Sequence, residues 1–204
     1  MPTWDQLADE TTIQKTIAAL KQNGINALVV DNAEAAKAKV LELVPAGAEV
    51  MNMSSTTLET LGLDKALNEP GKFNSVRNKL NQMDRVTQGL EMQKLGAAPE
   101  YAVGSVHAVT ADGKVLVASN TGSQLGAYAY SSTYVIWVVG TQKLVADQEQ
   151  GVKRIYDYIL PLESKRVQKA YGMEKSNVSK LLIFNQETTP GRLTLIFVKE
   201  KLGF

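Results

Sequence analysis

Hydrophobic periodicity along the first 60 residues alternates between helical and strand patterns. Apolar residues at helical spacing predict a first helix that ends at Asn23-Gly24. Ile25–Asp31 then has the pattern of a buried strand, residues 33–44 that of a second helix stopped by Pro45, and residues 47–53 that of another strand. This βαβα order predicts a parallel, Rossmann-like sheet. The apolar positions of the first helix are Trp4, Leu7, Ile13, Ile17 and Leu20.

The remaining pattern continues the sheet. Thr56 and Glu59 have the spacing of a capping box that opens a third helix. Asp112-Gly113 is a strong hairpin signal between the strands of 102–111 and 114–119. The almost wholly apolar stretch 133–140 predicts a central strand that is covered on both faces. Further expectations are a loop over 69–73, a long amphipathic helix over 75–95, helices over 144–159 and 162–171 separated by Pro161, and two closing strands, 180–185 and 193–200, joined by a turn at Pro190-Gly191.

Length and composition are those of an ordinary globular protein. The 204 residues, 44% apolar and 21% charged, predict a single domain over 1–204 that needs no disulfide or metal to fold. A net charge of +1 gives no electrostatic reason to expect nucleic acid or an anionic membrane as a partner. No apolar run reaches the roughly 18 residues of a membrane span, and the polar, acidic N-terminus has no signal-peptide pattern. We therefore expect a cytoplasmic protein.

The absence of cysteine and the presence of a single histidine restrict the metal sites and catalytic sites that the chain can form. Cysteine is absent, which excludes disulfides, thiolate metal sites, a bound iron–sulfur cluster and a cysteine nucleophile. His107 is the only histidine, so a histidine-based zinc site is not expected either. Neither G-x-G-x-x-G after a strand nor a Walker A sequence is present, which disfavours a conventional nucleotide site. We predict no cofactor and no metal held by this chain.

Five blocks of the chain, in order and at matching spacing, resemble the LUD family, the lactate-utilisation domain. The blocks lie at 51–67, 104–125, 135–147, 154–172 and 190–204, and include "MNMSSTTLETLG", "GSVHAVTADGKVLVASNTGSQL" and "VIWVVGTQKLVAD". Residues 1–50 precede them as an N-terminal helix and a first βα unit. The resemblance implies the fold of sugar-phosphate isomerases and CoA transferases, a Rossmann-like α/β sheet with an added β-hairpin.

The same resemblance implies a process, the bacterial oxidation of L-lactate to pyruvate beside Fe–S electron-transfer proteins. Some relatives carry cysteines between the last helix and the closing strands. The corresponding stretch here, 173–192, has none. The resemblance therefore implies possible Fe–S partner proteins rather than a cluster in this chain, and a homo-oligomer is also possible.

The loop Ser119–Gly126 and the strand containing His107 are the first candidates for a site. Gly122 permits positive φ, and neighbouring N–H groups beside Ser123 would cradle a carboxylate or phosphate, although an ordinary polar turn explains the same residues. Strand alternation places Ser105 and His107 on one face. His107 is either an acid–base group for a hydroxy acid or a half-buried strand histidine bonded to a carbonyl. We take His107 and Ser123 as candidate catalytic residues, with Ser105, Asn120, Thr121, Gly122 and Gln124 as candidate ligand-binding residues.

Lys143, just past the strongest strand, suits an anionic ligand, although a solvated lysine at a helix start has the same pattern. Ser54 and Ser55 are either a helix cap or an anion site after a strand, and Glu200 is a weaker ligand-binding candidate. Three arginines match basic positions of the family-like blocks, but surface ion pairs are the commoner use of such residues. Three tyrosines either line a pocket or pack the core. The arginines are Arg154, Arg166 and Arg192, and the tyrosines are Tyr128, Tyr130 and Tyr134.

Three functions remain open on the sequence. The first is binding of a small carboxylate, or of an electron-transfer partner, in lactate or related organic-acid utilisation. The second is an isomerase- or transferase-like enzyme acting on a sugar phosphate or acyl-CoA, which rests on fold analogy alone. The third is a non-catalytic assembly subunit. Cations that converge on the Gly/Ser loop would favour the second.

Overall fold

The computed structural model describes residues 4–204. Its helices are α1 Glu10–Gln22, α2 Ala33–Leu43, α3 Thr56–Thr60, α4 Leu63–Leu67, α5 Val76–Asn81, α6 Gly89–Ala97, α7 Gln148–Lys153 and α8 Leu160–Tyr171. Its strands are β1 Asn26–Val30, β2 Glu49–Asn52, β3 Asn74–Ser75, β4 Tyr101–Gly104, β5 Ala108–Thr110, β6 Val115–Ser119, β7 Tyr134–Gly140, β8 Leu144–Val145, β9 Lys180–Phe184 and β10 Leu193–Val198. Two π-helical stretches, Ala127–Ser131 and Arg154–Ile159, and a 3-10 turn, Thr141–Lys143, complete the regular structure.

A six-stranded parallel sheet forms the centre of the fold, in the order β1-β10-β7-β4-β2-β3. The position of strand β7 in the sheet explains why its sequence is almost wholly apolar. Trp137 packs into the core on one face with α1, while Ile136 and Val138 pack into the core on the other face with α2 and α4. Successive side chains of a strand point to opposite faces. In a strand covered on both sides, all of these side chains are therefore buried and apolar residues are favoured at every position. The predicted Rossmann-like α/β sheet is confirmed.

A second, four-stranded sheet, in the order β8-β5-β6-β9, contains the predicted hairpin. Gly113 adopts φ +82° in the turn between β5 and β6, as the Asp-Gly signal predicted. One face of this sheet joins the core beneath α1, and the other packs against the π-helical stretch Arg154–Ile159 through Ile155 and Ile159. Within residues 4–204, no helix has both the length and the apolarity needed to cross a bilayer.

Two predicted strands are divided differently in the structure. Residues 102–111, predicted as one strand, break after Gly104: β4 lies in the large sheet, β5 lies in the small sheet, and residues 105–107 connect them. The two closing strands also separate, because β9 pairs with β6 while β10 inserts between β1 and β7. Short-range pattern identified the strands, but partner choice is a long-range property of the sheet.

Three predictions about helices were wrong. The helix predicted over 75–95 is two helices, α5 and α6, because residues 82–88 form a turn in which Asp84 accepts a hydrogen bond from the Val86 N–H. The predicted break at Pro161 is absent, because the π-helical stretch Arg154–Ile159 continues directly into α8 across this proline. The capping box is not formed either: Ser55, not Thr56, precedes α3 and its side chain makes no capping bond.

Candidate functional site

A cavity of about 170 Å³ lies at the carboxyl ends of three adjacent strands, β2, β4 and β7. Ser54–Thr57 follow β2, Ser105–His107 follow β4, and Lys143 follows β7 through the 3-10 turn. All three segments reach the same edge because parallel strands end together, which is where open α/β sheets hold their ligands. The small sheet and α8 close the remaining sides of the cavity.

Lys143 is buried in the wall of this cavity, with only 3% of its surface exposed. Its Nζ donates to the Thr57 hydroxyl at 3.1 Å, to the Ser105 hydroxyl at 3.1 Å and to the Val106 carbonyl at 3.2 Å. It makes no salt bridge within residues 4–204. Burial, reinforced by the nearby guanidinium of Arg154, lowers the pKa of Lys143 from 10.5 to about 7.

The hydroxyl partners of Lys143 indicate the resting state of its amine. The Ser105 hydroxyl donates its own hydrogen to the Val138 carbonyl at 2.7 Å, and the Thr57 hydroxyl donates to the Leu202 carbonyl at 3.3 Å. Both hydroxyls therefore accept from Lys143, and with the Val106 carbonyl they use all three hydrogens of an ammonium group. The geometry matches a charged Lys143, while burial brings its deprotonation into the neutral pH range.

Arg154 is a second buried cation, next to the same segment. It is fully buried, donates from Nη1 to the His107 carbonyl at 2.7 Å and from Nη2 to the Trp4 carbonyl at 3.3 Å, and stacks over Tyr158 at 5.3 Å. Its Nε has no hydrogen-bond partner in the described part of the chain. Burial lowers the pKa of Arg154 to about 10. The surface ion pair expected for this arginine is wrong, because its position under residue 107 removes it from solvent.

His107 contacts the cavity as a neutral imidazole. Its Nδ1 accepts a hydrogen bond from the Ala118 N–H at 3.1 Å, so Nε2 carries the hydrogen and is the remaining polar atom of the ring. Burial, with the charges of Lys143 and Arg154, lowers the pKa of His107 to about 3. The ring therefore donates rather than titrates at physiological pH. Its partner is a backbone N–H across the hairpin, not the carbonyl considered from sequence.

Positive charge exceeds negative charge around the cavity. The acidic side chain that lines it, Glu163, is bound in a two-pronged pair by Arg166 of the same helix, at 2.8 and 2.7 Å. Lys143 and Arg154 have no such partner within residues 4–204. Two buried cations and one hydrogen-bond donor thus face or underlie a polar cavity, an arrangement that favours an anion. Across these residues no group of three or more acidic or histidine side chains is placed to hold a metal ion.

The Gly/Ser loop contributes only part of itself to the cavity. Asn120 and Gln124 line it, whereas Thr121, Gly122 and Ser123 face a neighbouring cleft. The loop follows β6 of the small sheet rather than a strand of the parallel sheet. Gly122 does adopt φ +89°, and its N–H donates to the Ser119 hydroxyl at 2.8 Å. That N–H is consequently used within the loop and is not free for a ligand.

The structure brings together most, but not all, of the residues selected from sequence. Ser54, Ser55, Ser105, His107, Asn120, Gln124 and Lys143 line one cavity. Glu200 does not, because its carboxylate accepts from the Ala33 N–H at 3.2 Å at the start of α2. Ser123 is exposed and bonded to Thr121, with no base beside it.

The tyrosines and the other arginines also differ in position. Tyr128 is buried, lines the cavity and packs edge-on against Trp137, whereas Tyr130 is 88% exposed and Tyr134 stacks on Tyr101. Arg192 forms a buried pair with Glu187, not a surface one. Thr57 also contacts Lys143; the stretch Ser54–Thr57 was interpreted as a helix cap or an anion site, but only its two serines were selected as ligand-binding residues.

The model of the LUD domain family matches residues 13–198. The chain belongs to the LUD family. The match begins well before the block at residue 51 and covers most of α1, from residue 13, and the first βα unit as well. The resemblance stated from sequence is confirmed. No curated protein matches the chain at a significant level.

One solved structure that resembles this LUD-family chain supports the fold. A crystal structure of a DUF162 family protein from Deinococcus radiodurans is similar over 95% of this chain and 99% of that chain, with 13% identity and a TM-score of 0.56. Crystal structures of eIF2B beta and eIF2B delta from Chaetomium thermophilum are more distant, both with a TM-score of 0.37. They share 17% and 12% identity, over 57% and 71% of this chain and 44% and 57% of those chains.

Proposed function

We propose that this LUD-family chain binds a small carboxylate in the Lys143 cavity, and that it does so in the utilisation of lactate or a related organic acid. The observation that carries the proposal is a buried lysine ammonium, beside a buried arginine, with no carboxylate partner within residues 4–204. Burying an unpaired charge costs stability. A ligand anion would supply the negative charge that this cavity lacks beside Lys143.

The size and donors of the cavity suit such a ligand. Its volume of about 170 Å³ is comparable to the ~150 Å³ engineered cavity that accommodates benzene, which has as many non-hydrogen atoms as lactate. Nε2–H of His107 would donate to the carboxylate or to the hydroxyl of the acid, and the ammonium of Lys143 would supply charge from behind Ser105 and Thr57. Asn120 and Gln124 also line the cavity.

The process and the partners are proposed on family membership. A chain without cysteine that acts in lactate oxidation would leave the electron transfer to Fe–S partner proteins. Its own contribution would then be to hold the organic acid while a partner oxidises it. A homo-oligomer is compatible with this role but is not required by it.

Ligand-induced stabilisation tests the binding proposal. We expect L-lactate or pyruvate at about pH 6.5 to raise the melting temperature of the chain by several degrees, since a ligand at 100 times its Kd adds about 2.7 kcal/mol. Lys143→Met should remove the shift. Lys15→Met, at an exposed position of α1, removes the same charge and should retain it. Calorimetric titration gives the Kd directly.

A chain that shows no shift with either acid at tens of millimolar would contradict the proposal. Co-purification with Fe–S proteins in that case would favour the assembly-subunit function instead. The isomerase- or transferase-like alternative is favoured by one observation, two arginines beside residues 121–126, and phosphorylated ligands therefore belong in the same panel.

A further inference from the structure

A second, larger space adjoins the Lys143 cavity. This cleft, of about 690 Å³, lies between α5, α6 and the Gly/Ser loop. It shares three lining residues with the cavity, namely Met53, Ser54 and Gln124. The cavity and the cleft therefore adjoin along these three side chains.

Two arginines in this cleft have no acidic partner. Arg77, half-buried on α5, donates from Nη2 to the Asn52 carbonyl at 2.8 Å, and burial lowers its pKa. Arg85 lies in the turn between α5 and α6 and makes no salt bridge in the described chain. Lys79 of the same helix does have a partner, Glu49 at 3.5 Å. The cleft thus repeats one feature of the cavity, cations that have no acidic partner within residues 4–204.

The floor between the two cationic ends is apolar. Met51, Met53, Leu80 and Met92 line it. Methionine is unbranched and polarizable, and such side chains fit apolar ligand segments of varied shape. An anion alone would gain nothing from this surface, whereas the carbon chain of a longer acid would be removed from water by it.

The wall opposite the helices has a fixed shape. Thr121 donates to the Ser123 hydroxyl at 3.1 Å, and Ser119 accepts from the Gly122 N–H. A side chain at position 122 would collide with Lys180, and φ there is +89°. Hydrogen bonds within the Gly/Ser loop limit the ordering cost of binding on this side of the cleft.

We propose that the ligand of this chain is an elongated organic acid with a second anionic group. Its carboxylate would occupy the Lys143 cavity, its carbon chain would lie over the methionines, and its far carboxylate or phosphate would bind Arg77 and Arg85. The proposal rests on the proposed function, because the cavity must hold the first carboxylate. Arginine suits the second position since its planar donors match carboxylate and phosphate equally well.

Calorimetric titration with matched pairs of acids tests this. The ligands are the α,ω-dicarboxylates from succinate to suberate, each paired with the monocarboxylate of the same chain length. A 6-phosphonohexanoate arm distinguishes a phosphate from a carboxylate terminus. At one chain length the dianion should bind at least about tenfold tighter than its monocarboxylate, which corresponds to about 1.4 kcal/mol.

The variants locate the effect. Arg85→Gln, at an exposed position, and Arg77→Gln/Arg85→Gln should abolish the advantage of the dianion and leave the monocarboxylate affinity unchanged. Lys79→Gln removes a charge from the same helix outside the cleft and should preserve the advantage. Equal affinities of the two members of every pair, with L-lactate still bound, would overturn this inference alone. Loss of binding by all of these acids would overturn the proposed function as well.

Discussion

Replacing Lys143 by methionine should make the chain more stable at acidic pH while it removes anion binding. Lys143 is charged there in both the folded and the unfolded chain. The drop of its pKa from 10.5 to about 7 means that burying the charge costs about 5 kcal/mol. Methionine fills similar space without charge, but leaves the Val106 carbonyl unpaired at a cost of about 1–3 kcal/mol. The variant should therefore be about 2–4 kcal/mol more stable at pH 6, in line with the behaviour of buried ions replaced by apolar groups.

The pH dependence isolates the titration of Lys143. Because its folded pKa lies below the unfolded value of 10.5, the unfolded chain binds more protons between about pH 7 and 10.5, and wild-type stability rises with pH in that window. From pH 6 to pH 9 the gain is about 3 kcal/mol, which the variant lacks. The stability advantage of Lys143→Met should accordingly almost vanish at pH 9.

Urea unfolding of both proteins at pH 6 and pH 9 measures this difference. The free energy of unfolding of the variant, minus that of the wild type, should fall by about 3 kcal/mol between the two pH values. Lys15→Met should show no such change, because Lys15 is exposed. A difference that stays constant with pH, or a Lys143→Met protein less stable than wild type at pH 6, would refute the burial argument.

Three further predictions address the same site and its support. Carboxylate binding measured by calorimetry should weaken above about pH 7, as Lys143 loses its proton, and show no step near pH 6.5, because the pKa of His107 is about 3; a step there would contradict a neutral His107. Arg192→Met should cost about 3–5 kcal/mol in urea unfolding, because it leaves the buried carboxylate of Glu187 unpaired, and Arg192→Met/Glu187→Gln should recover part of the loss. Gly104→Ala should lower stability by about 1–3 kcal/mol, since the added methyl collides with the Tyr128 hydroxyl beside the cavity, whereas Gly89→Ala, which meets no atom, should not.

The fold could be predicted from sequence where the pattern is local and repeated. The βα alternation of residues 10–53, the apolar strand β7 and the Asp112-Gly113 turn each determine a structure within a short window. The assignment of strands to two sheets could not be predicted in this way. Residues 102–111 look continuous because both halves are apolar, and only the pairing of β4 with β7 and β5 with β6 separates them.

Some of the candidate residues line the cavity for a reason other than the one for which the sequence pattern selected them. Ser105 and His107 were chosen as neighbours on one strand face, but they line the cavity because they connect two sheets. Lys143 was selected because it follows a strand, and it lines the cavity for the same reason. The burial of Arg154 could not be predicted from sequence. The helical pattern around it gives no sign that its guanidinium lies beneath His107, which is 47 positions away along the chain.

Halide binding in a crystal tests the central claim, an anion site at Lys143, most directly. Crystals of the chain soaked in bromide at acidic pH should give an anomalous peak inside the cavity, next to His107 Nε2 and the Lys143 ammonium. The same soak of Lys143→Met should lose this peak and keep those on the protein surface. Bromide confined to surface arginines and lysines of the wild type, with the cavity free of it, would contradict the account.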